Sequence, residues 1–431
     1  MPAGGKFGGT WRDVPRSRAF VKHAGVWKNP KQAWAKRAGV WQPVFSLVKS
    51  KVGSFNTGTG STAIAVTGLG FQPKLLLFFW SGTIGTTDVI VGGDQRRGVG
   101  FAVSPSMRGV VAQWDGDNLG TSLCSRSMFN DCCVELHKDD IVDGKLDLTS
   151  MDADGFTLAV DNAFGWDYRI HYLAIGGDDV VASGGLITTA SAPANYDVTT
   201  LGTAPGFLGM ISHGYNTMGN ANNDSNNNRN MYAFSDLVGD VSMMLNPQKG
   251  AANANIITAL FNTMFYMANV TQATTSPLSN GFRTAFSLLN AVNYFLWFTL
   301  HGVKSKVGTF LTRTDTTPQA ITGLGFSPAA IIFMSHGDPG INNEASRSDR
   351  GSVGAVDASL GQRVASAHSQ NGPTTTVVGV GHNSAGVYQT ITDTDVQDGL
   401  MQINSLDGDG FTFQMSDPDP AARYVAYAAI G

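Results

Sequence analysis

Thr67-Gly68-Leu69-Gly70-Phe71 returns later in the chain as Thr322-Gly323-Leu324-Gly325-Phe326, displaced by 255 positions. The same displacement carries Asp152-Ala153-Asp154-Gly155-Phe156 onto Asp407-Gly408-Asp409-Gly410-Phe411. Residues 52–176 therefore recur at residues 307–431. A repeated unit of about 125 residues has the size of a domain, so the fold has to be interpreted one unit at a time.

The interval between these two copies contains a third, more divergent one. Thr200-Leu201-Gly202 and the apolar run 207–211 correspond to Leu69-Gly70 and Leu75–Trp80. Asn280-Gly281-Phe282 corresponds to Asp154-Gly155-Phe156. The displacement between the first two copies varies from 132 to 126 positions, which indicates small insertions and deletions. The predicted organisation is an arm at residues 1–48 followed by repeats at 49–177, 178–303 and 304–431.

The composition and the periodicity favour a β protein rich in loops. Glycine accounts for 52 of the 431 residues, and charged residues for 14%, against roughly 25% in ordinary soluble proteins. Apolar runs alternate with Gly, Pro, Asn and Asp, which predicts about seven to nine short strands in each repeat. The run Leu75–Trp80 predicts a central strand that is apolar on both faces. The predicted fold is all-β, with three tandem antiparallel β-sandwich, jelly-roll-like domains. Residues 251–270 fit a helix or a strand by periodicity, and alignment with the other repeats favours strand.

The N-terminal arm has a different composition. The first fifty residues contain ten Lys or Arg against one acidic residue, Asp13, and four of the eight Trp. Ala19–Lys28 recurs fourteen residues later as Ala33–Gln42, and the basic and large apolar residues around each glycine are typical of a β-hairpin. An arm that fills grooves on a partner protein is favoured over nucleic-acid binding, a disordered tail or packing on the first repeat. The candidate contact residues are Trp11, Val26, Trp27, Lys28, Trp34, Val40 and Trp41.

Two stretches of the chain resemble a known class of protein. The Gly-Val-Trp-Lys elements, at Val21–Lys28 and Trp41–Val44, resemble short adaptor segments in virion and tail proteins of tailed bacteriophages. Thr67–Lys74, followed by Phe78-Phe79-Trp80, is similar to repeated β-domains of phage structural proteins. The resemblance implies a non-enzymatic structural part of a virion, in the tail, tail tip or fibre, that binds other virion proteins through residues 1–48.

The expected partners follow from the same resemblance. A homo-oligomer around the tail axis is expected. Two alternatives remain open: a host-receptor recognition protein that binds surface glycans, and a head decoration or spike protein. No cofactor is predicted, and neither nucleic acid nor a membrane is an expected partner. The longest apolar run, Leu75–Trp80, is too short to cross a bilayer.

Few residues suggest chemistry. Asp152, Asp154, Asp407 and Asp409 are weak Ca²⁺ candidates, but their glycine turns lack the further ligands of a known calcium loop, and a hairpin turn is the preferred interpretation. Ser212-His213 and Ser335-His336 lack a nucleophile elbow. The three cysteines are too few for a disulfide framework and lack zinc-site spacing. Neither a metal site nor an enzymatic activity is predicted.

Two polar loops differ between the repeats, and they are the candidate binding loops. One is Gly337–Arg350, and the other is Gly219–Asn230. A solvated excursion is the alternative for both. Trp114 and Trp166 could anchor a sugar or a neighbouring subunit, or belong to the core. The glycan-contact candidates of the second loop are Asn222, Asn223, Asn226, Asn227 and Asn228.

Overall fold

The computed structural model describes residues 4–7, 10–13, 21–23, 26–28, 33–37, 40–45, 48–139, 141–214, 217–221, 229–267, 271–289 and 291–431. In these residues the regular structure consists of β-strands, without an α-helix. The all-β prediction is confirmed. The described residues accordingly include no helix with the length and hydropathy needed to cross a bilayer.

Six short strands of the arm pair as three antiparallel hairpins. The pairs are β1 (Gly4–Phe7) with β2 (Thr10–Asp13), β3 (Val21–His23) with β4 (Val26–Lys28), and β5 (Ala33–Arg37) with β6 (Val40–Phe45). A two-stranded hairpin is at best marginally stable in water by itself. Packing against another surface would therefore add most to the stability of these hairpins.

Three sets of eleven strands follow in the described part of the chain. The first set is β7 (Lys49–Asn56), β8 (Ile64–Thr67), β9 (Pro73–Trp80), β10 (Val89–Gly92), β11 (Gln95–Ser104), β12 (Met107–Asp115), β13 (Cys124–Phe129), β14 (Val134–Lys138), β15 (Ile141–Asp152), β16 (Gly155–Asn162) and β17 (Arg169–Gly176). The second is β18 (Val181–Thr188), β19 (Asn195–Val198), β20 (Phe207–Ser212), β21 (Gly219–Ala221), β22 (Asn230–Ser235), β23 (Asp240–Pro247), β24 (Ile256–Phe261), β25 (Phe265–Met267), β26 (Thr271–Leu278), β27 (Gly281–Leu289) and β28 (Tyr294–His301). The third is β29 (Ser305–Leu311), β30 (Gln319–Thr322), β31 (Ala330–Ser335), β32 (Ala345–Ser346), β33 (Asp349–Asp357), β34 (Gln362–Ser369), β35 (Val378–Asn383), β36 (Tyr388–Ile391), β37 (Gln397–Asp407), β38 (Gly410–Asp417) and β39 (Tyr424–Ile430).

Each set forms a large sheet and a small sheet. In the first repeat the large sheet has the order β13-β12-β11-β9-β17-β7, and the small sheet has the order β14-β15-β16-β8. The strands of the other two repeats occupy equivalent places in their own sheets. The two sheets of a repeat pack face to face, as the rings of Phe78 and Phe156 show with centroids 5.8 Å apart. The β-sandwich prediction is thus confirmed.

Two details differ from, or complete, the sequence-based expectation. There are more strands in each repeat than predicted, because segments of two to four residues, such as Ala345–Ser346, are too short to show a periodic pattern. The regular structure in the described part of residues 251–270 is strand, β24 and β25, as alignment with the other repeats indicated.

The large sheet of each repeat is apolar on both faces, and each face packs into a different core. In β9, Leu76 and Phe78 face the small sheet of the same repeat, whereas Leu75 and Leu77 face a second core, here called the central core. Successive side chains of a strand point to opposite faces, so a run without polar residues supplies both cores. The central core draws side chains from all three repeats, among them Phe101, Phe207, Phe298, Ile332 and Met334.

Each large sheet is completed by a strand of another repeat. β10 of the first repeat pairs with β35 of the third, β21 of the second pairs with β13 of the first, and β32 of the third pairs with β24 of the second. β10, β21 and β32 are here called the exchanged strands. Every repeat gives one strand and receives one, so the exchange closes a ring. Each large sheet therefore includes one strand that does not belong to the repeat of its other strands.

Candidate functional site

The exchanged strands lead into a buried polar cluster next to the central core. β10 and β32 are followed at once by β11 and β33, which begin with the buried residues Gln95 and Asp349. β22 of the second repeat also begins with a buried polar residue, Asn230. A buried polar group destabilises the fold unless it has a hydrogen-bond or ion-pair partner. The polar side chains at the beginning of these strands therefore need partners within the cluster.

A salt bridge inside this cluster joins the first repeat to the third. The Arg97 Nη2 atom lies 2.6 Å from Asp349 Oδ2, and the two side chains are 8% and 0% exposed. The other carboxylate oxygen of Asp349 lies 2.6 Å from His336 Nδ1. Burial would raise the pKa of Asp349, but Arg97 and His336 outweigh burial and hold the pKa below its ordinary value. Asp349 is therefore charged, and its charge is compensated across a repeat boundary.

A second buried carboxylate, Asp115, lies at the end of β12. It accepts hydrogen bonds from the side-chain amides of Gln95 and Gln113, the latter with Nε2 3.2 Å from Oδ1. Gln113 in turn accepts a hydrogen bond from Asn230 Nδ2 of the second repeat at 3.3 Å. Burial raises the pKa of Asp115 to about 6, with Arg97 opposing the shift. Arg97 contacts Asp349 directly and compensates Asp115 only in part.

The space inside this cluster is too small for a substrate. The cavity beside Arg97 has a volume of about 10 Å³, and its lining includes Trp80, Tyr232 and Gly351, one from each repeat. Such a volume has room for about one water molecule. Burial raises the pKa of Tyr232 to about 12, so its hydroxyl stays protonated. The cluster can fix the three repeats relative to one another.

The predicted calcium candidates are structural carboxylates. Asp154 accepts hydrogen bonds from the backbone N–H groups of Gly68 and Gly70, at 3.2 and 2.5 Å, and Asp409 does the same for Gly323 and Gly325. All four glycines have positive φ. Asp152 and Asp407 accept hydrogen bonds from the neighbouring hydroxyls of Ser150, Thr157, Ser405 and Thr412. Each Asp-Gly turn therefore clamps the glycine turn of the same sandwich, which explains why these two motifs recur together.

The Ser-His pairs do not form a nucleophile with its base. The Ser212 hydroxyl donates to the Tyr294 carbonyl at 2.7 Å, and the Ser335 hydroxyl donates to the Tyr424 carbonyl at 2.8 Å. Each hydroxyl also accepts a backbone N–H two residues later at 3.0 Å. His336 is held by Asp349 instead. Both hydroxyls fix a strand end to its neighbouring strand.

The two variable loops contain exchanged strands. Gly219–Ala221, in the loop Gly219–Asn230, pairs with β13, and Ala345–Ser346, in the loop Gly337–Arg350, pairs with β24. The backbone groups of these two segments complete the sheet of another repeat. Asn222, Asn223, Asn226, Asn227 and Asn228 lie outside the described residues.

The two candidate tryptophans of the first repeat differ in environment. Trp114 is 3% exposed and belongs to the core, where its Nε1 donates to Asp94 Oδ2 at 3.2 Å. Trp166 is 60% exposed. Its loop is held by hydrogen bonds from residues 57 and 58, since Thr57 Oγ1 donates to the Trp166 carbonyl at 3.2 Å and Gly58 N donates to Asp167 Oδ1 at 2.7 Å. Trp166 therefore presents an exposed ring on a fixed backbone, which suits a binding contact.

The candidate residues of the arm lie on its strands, in a common register. In the three hairpins Lys6 is paired with Trp11, Lys22 with Trp27, and Lys36 with Trp41. The second and third hairpins match the repeat of Ala19–Lys28 at Ala33–Gln42, whereas the first hairpin lies outside that repeat. The spacing Lys-x₄-Trp, with glycine two residues before the tryptophan, was the signal that would have revealed it. Val26, Lys28, Trp34 and Val40 also lie on these strands.

The three cysteines are buried thiols that are not joined in disulfides. Burial raises the pKa values of Cys132 and Cys133 well above the ordinary value for a thiol. Across the described residues no group of three or more His, Cys, Asp or Glu side chains is arranged to hold a metal ion. The buried thiols thus behave as small core side chains.

Comparison with known proteins finds no protein-family model that matches the chain and no curated protein with significant similarity to it.

Proposed function

We propose that the protein is a non-enzymatic structural component of a bacteriophage particle, associated with the tail, tail tip or fibre and docked through residues 1–48. The closed ring of exchanged strands carries this proposal. Because each repeat holds a strand of another, residues 49–431 cannot separate into three domains without breaking sheet hydrogen bonds. Such a body suits a permanent part of an assembly.

The chemistry of the interior supports the same conclusion. The polar groups at the centre bind one another across repeats, and the cavity beside them holds about one water molecule. The hydroxyls of Ser212 and Ser335 are engaged with backbone carbonyls. The basic arm precedes this body and supplies the docking element, and oligomerisation around the tail axis remains part of the proposal.

Removing the arm tests the proposal. A chain comprising residues 49–431 should keep the thermal unfolding temperature of the full-length protein, since the sheets of the repeats do not include arm strands. It should be missing from purified particles of a virus that encodes it, whereas the full-length protein complements a gene deletion. Incorporation of the truncated chain at the full-length level would refute docking through the arm.

A second candidate function is glycan recognition, and Trp166 is the observation that favours it. An exposed indole on a fixed loop can stack on the apolar face of a sugar ring without a large loss of conformational entropy. In a glycan array, binding that Trp166→Ala abolishes and Trp166→Phe largely retains would support this function. No binding of the full-length protein to host polysaccharides would exclude it.

A further inference from the structure

The number of hairpins in the arm equals the number of repeats in the body. Three hairpins precede three sandwiches, and the sandwiches are related by a cyclic exchange of equivalent strands. The body of one chain thus has approximate threefold symmetry. The arm repeats one element the same number of times.

The three hairpins are equivalent in register as well as in number. Each places a lysine opposite a tryptophan, and a glycine lies two residues before that tryptophan. The fourth tryptophan of the arm, Trp34, is paired with Pro43 and lies outside this common position. Equivalent elements bind equivalent sites, so the repeated position points to one kind of pocket, present three times.

The composition of the arm restricts the chemistry of that pocket. The first fifty residues carry ten basic residues against one acidic residue. A hairpin with a tryptophan opposite a lysine fits an apolar groove with acidic residues at its rim, because aromatic residues dominate interface energetics and complementary charge sets orientation. This favours a protein surface as the partner.

The segments between hairpins limit how far apart the pockets lie. Residues 14–20 connect β2 to β3, and residues 29–32 connect β4 to β5. At full extension these connections span at most about 28 Å and about 17 Å between the flanking strands. A small trimer presents three equivalent pockets within such distances of one another, around its threefold axis.

We propose, on the basis of the proposed docking function, that the arm engages a threefold-symmetric partner in the particle, one hairpin for each partner subunit. Trp11, Trp27 and Trp41 fill three equivalent grooves. Each copy of this chain then sits on the local threefold axis of one partner trimer, and an oligomer around the tail axis would have one such trimer for each copy. Binding through three linked elements is multivalent, so affinity depends on all three together.

The test uses the full-length chain and, as the probe, purified particles from a virus whose gene for this chain is deleted. We expect a similar loss of apparent affinity, about 30-fold, from each of the substitutions Trp11→Ala, Trp27→Ala and Trp41→Ala. A loss of this size is typical of an aromatic hot spot. Trp34→Ala is the matched control and should have a clearly smaller effect. Saturation should occur at one chain for three partner subunits.

The outcomes separate this inference from the docking function. If the full-length protein binds particles and removal of residues 1–48 abolishes binding, but only one of the three substitutions matters, docking stands and threefold engagement is wrong. A Trp34→Ala loss equal to the others, or saturation at one chain for each partner subunit, also overturns threefold engagement. If the full-length protein does not bind the particles at all, the docking function itself fails, and the inference fails with it.

Discussion

Removal of the charge at Asp349 should weaken the whole body of the protein and not only the third repeat. Asp349→Asn keeps the size of the side chain but leaves the Arg97 guanidinium, which is 8% exposed, without its counter-ion. Breaking a buried pair by removing one partner costs about 3–5 kcal/mol. Because asparagine still offers an oxygen to His336, we expect the lower end, about 3 kcal/mol of the free energy of unfolding.

The size of the shift in melting temperature then reports the size of the cooperative unit. If the roughly 380 residues of the body unfold together, the entropy of unfolding is about 0.8 kcal/mol/K, and the melting temperature falls by about 4 °C. If the third repeat unfolded alone, its entropy would be about one third as large, and its transition would move by about 11 °C. The interlocked sheets predict one transition and the smaller shift.

Differential scanning calorimetry of the full-length protein is the appropriate measurement. Asp315→Asn is the matched control, because Asp315 pairs with Arg313 at the surface and is 54% exposed, so no shift is expected. Arg97→Met combined with Asp349→Asn should lose less than the sum of the single changes. Separate transitions with only one displaced would show that the repeats unfold independently, and an unchanged melting temperature would show that the charge of Asp349 contributes nothing.

Three further predictions concern single groups. Asp115→Asn should raise the free energy of unfolding at pH 7 by up to about 3 kcal/mol, because the folded pKa of about 6 exceeds the ordinary 3.8 and the charged form is penalised. The gain should disappear as the pH falls below the ordinary pKa, and urea titrations that show the same gain at all pH values would contradict the assignment. Gly410→Ala should destabilise by about 3 kcal/mol, because its Cβ would lie 1.8 Å from the Ile321 carbonyl oxygen. Gly408→Ala, with nothing within 4 Å of the added atom, should change stability by less than about 0.5 kcal/mol in the same denaturant titration. The three buried cysteine thiols should resist a thiol reagent in the folded protein and react after unfolding, and rapid reaction of the folded protein would show that their burial is not maintained.

Local pattern predicted the sandwiches because the relevant signals lie close together in the chain. Short apolar runs between turn residues gave the strands, and the Asp-Gly turns lie where they join β15 to β16 and β37 to β38. The run Leu75–Trp80 also indicates a second core. A strand apolar on both faces needs a second core, and the second core is the one shared by the three repeats.

The exchanged strands and the polar cluster could not be predicted in the same way. Ala345–Ser346 has two residues and no periodicity, and its pairing with β24 depends on a contact between distant segments. Arg97 and Asp349 are 252 positions apart in the chain. The sequence shows both as ordinary charged residues in β-rich segments. Arg97 and Asp349 come together only because the ring closes, which places the first residues of β11 and β33 side by side.

The buried polar residues where the three repeats meet show how a single chain can balance its buried charges, which a homotrimer of one repeat could not do. By their pairing positions Arg97, Asn230 and Gly351 are equivalent in the three repeats, because each precedes the residue paired with Trp80, Ser212 or Ser335. In a homotrimer with arginine at this position, three buried guanidinium groups would meet near the axis and repel one another. In a single chain the three positions differ, so one guanidinium meets one charged carboxylate, Asp349, and the other two positions hold an amide and a glycine. The differences between the repeats at the centre are therefore the condition for a closed, charge-balanced body, while the shared turn motifs keep the three sandwiches alike.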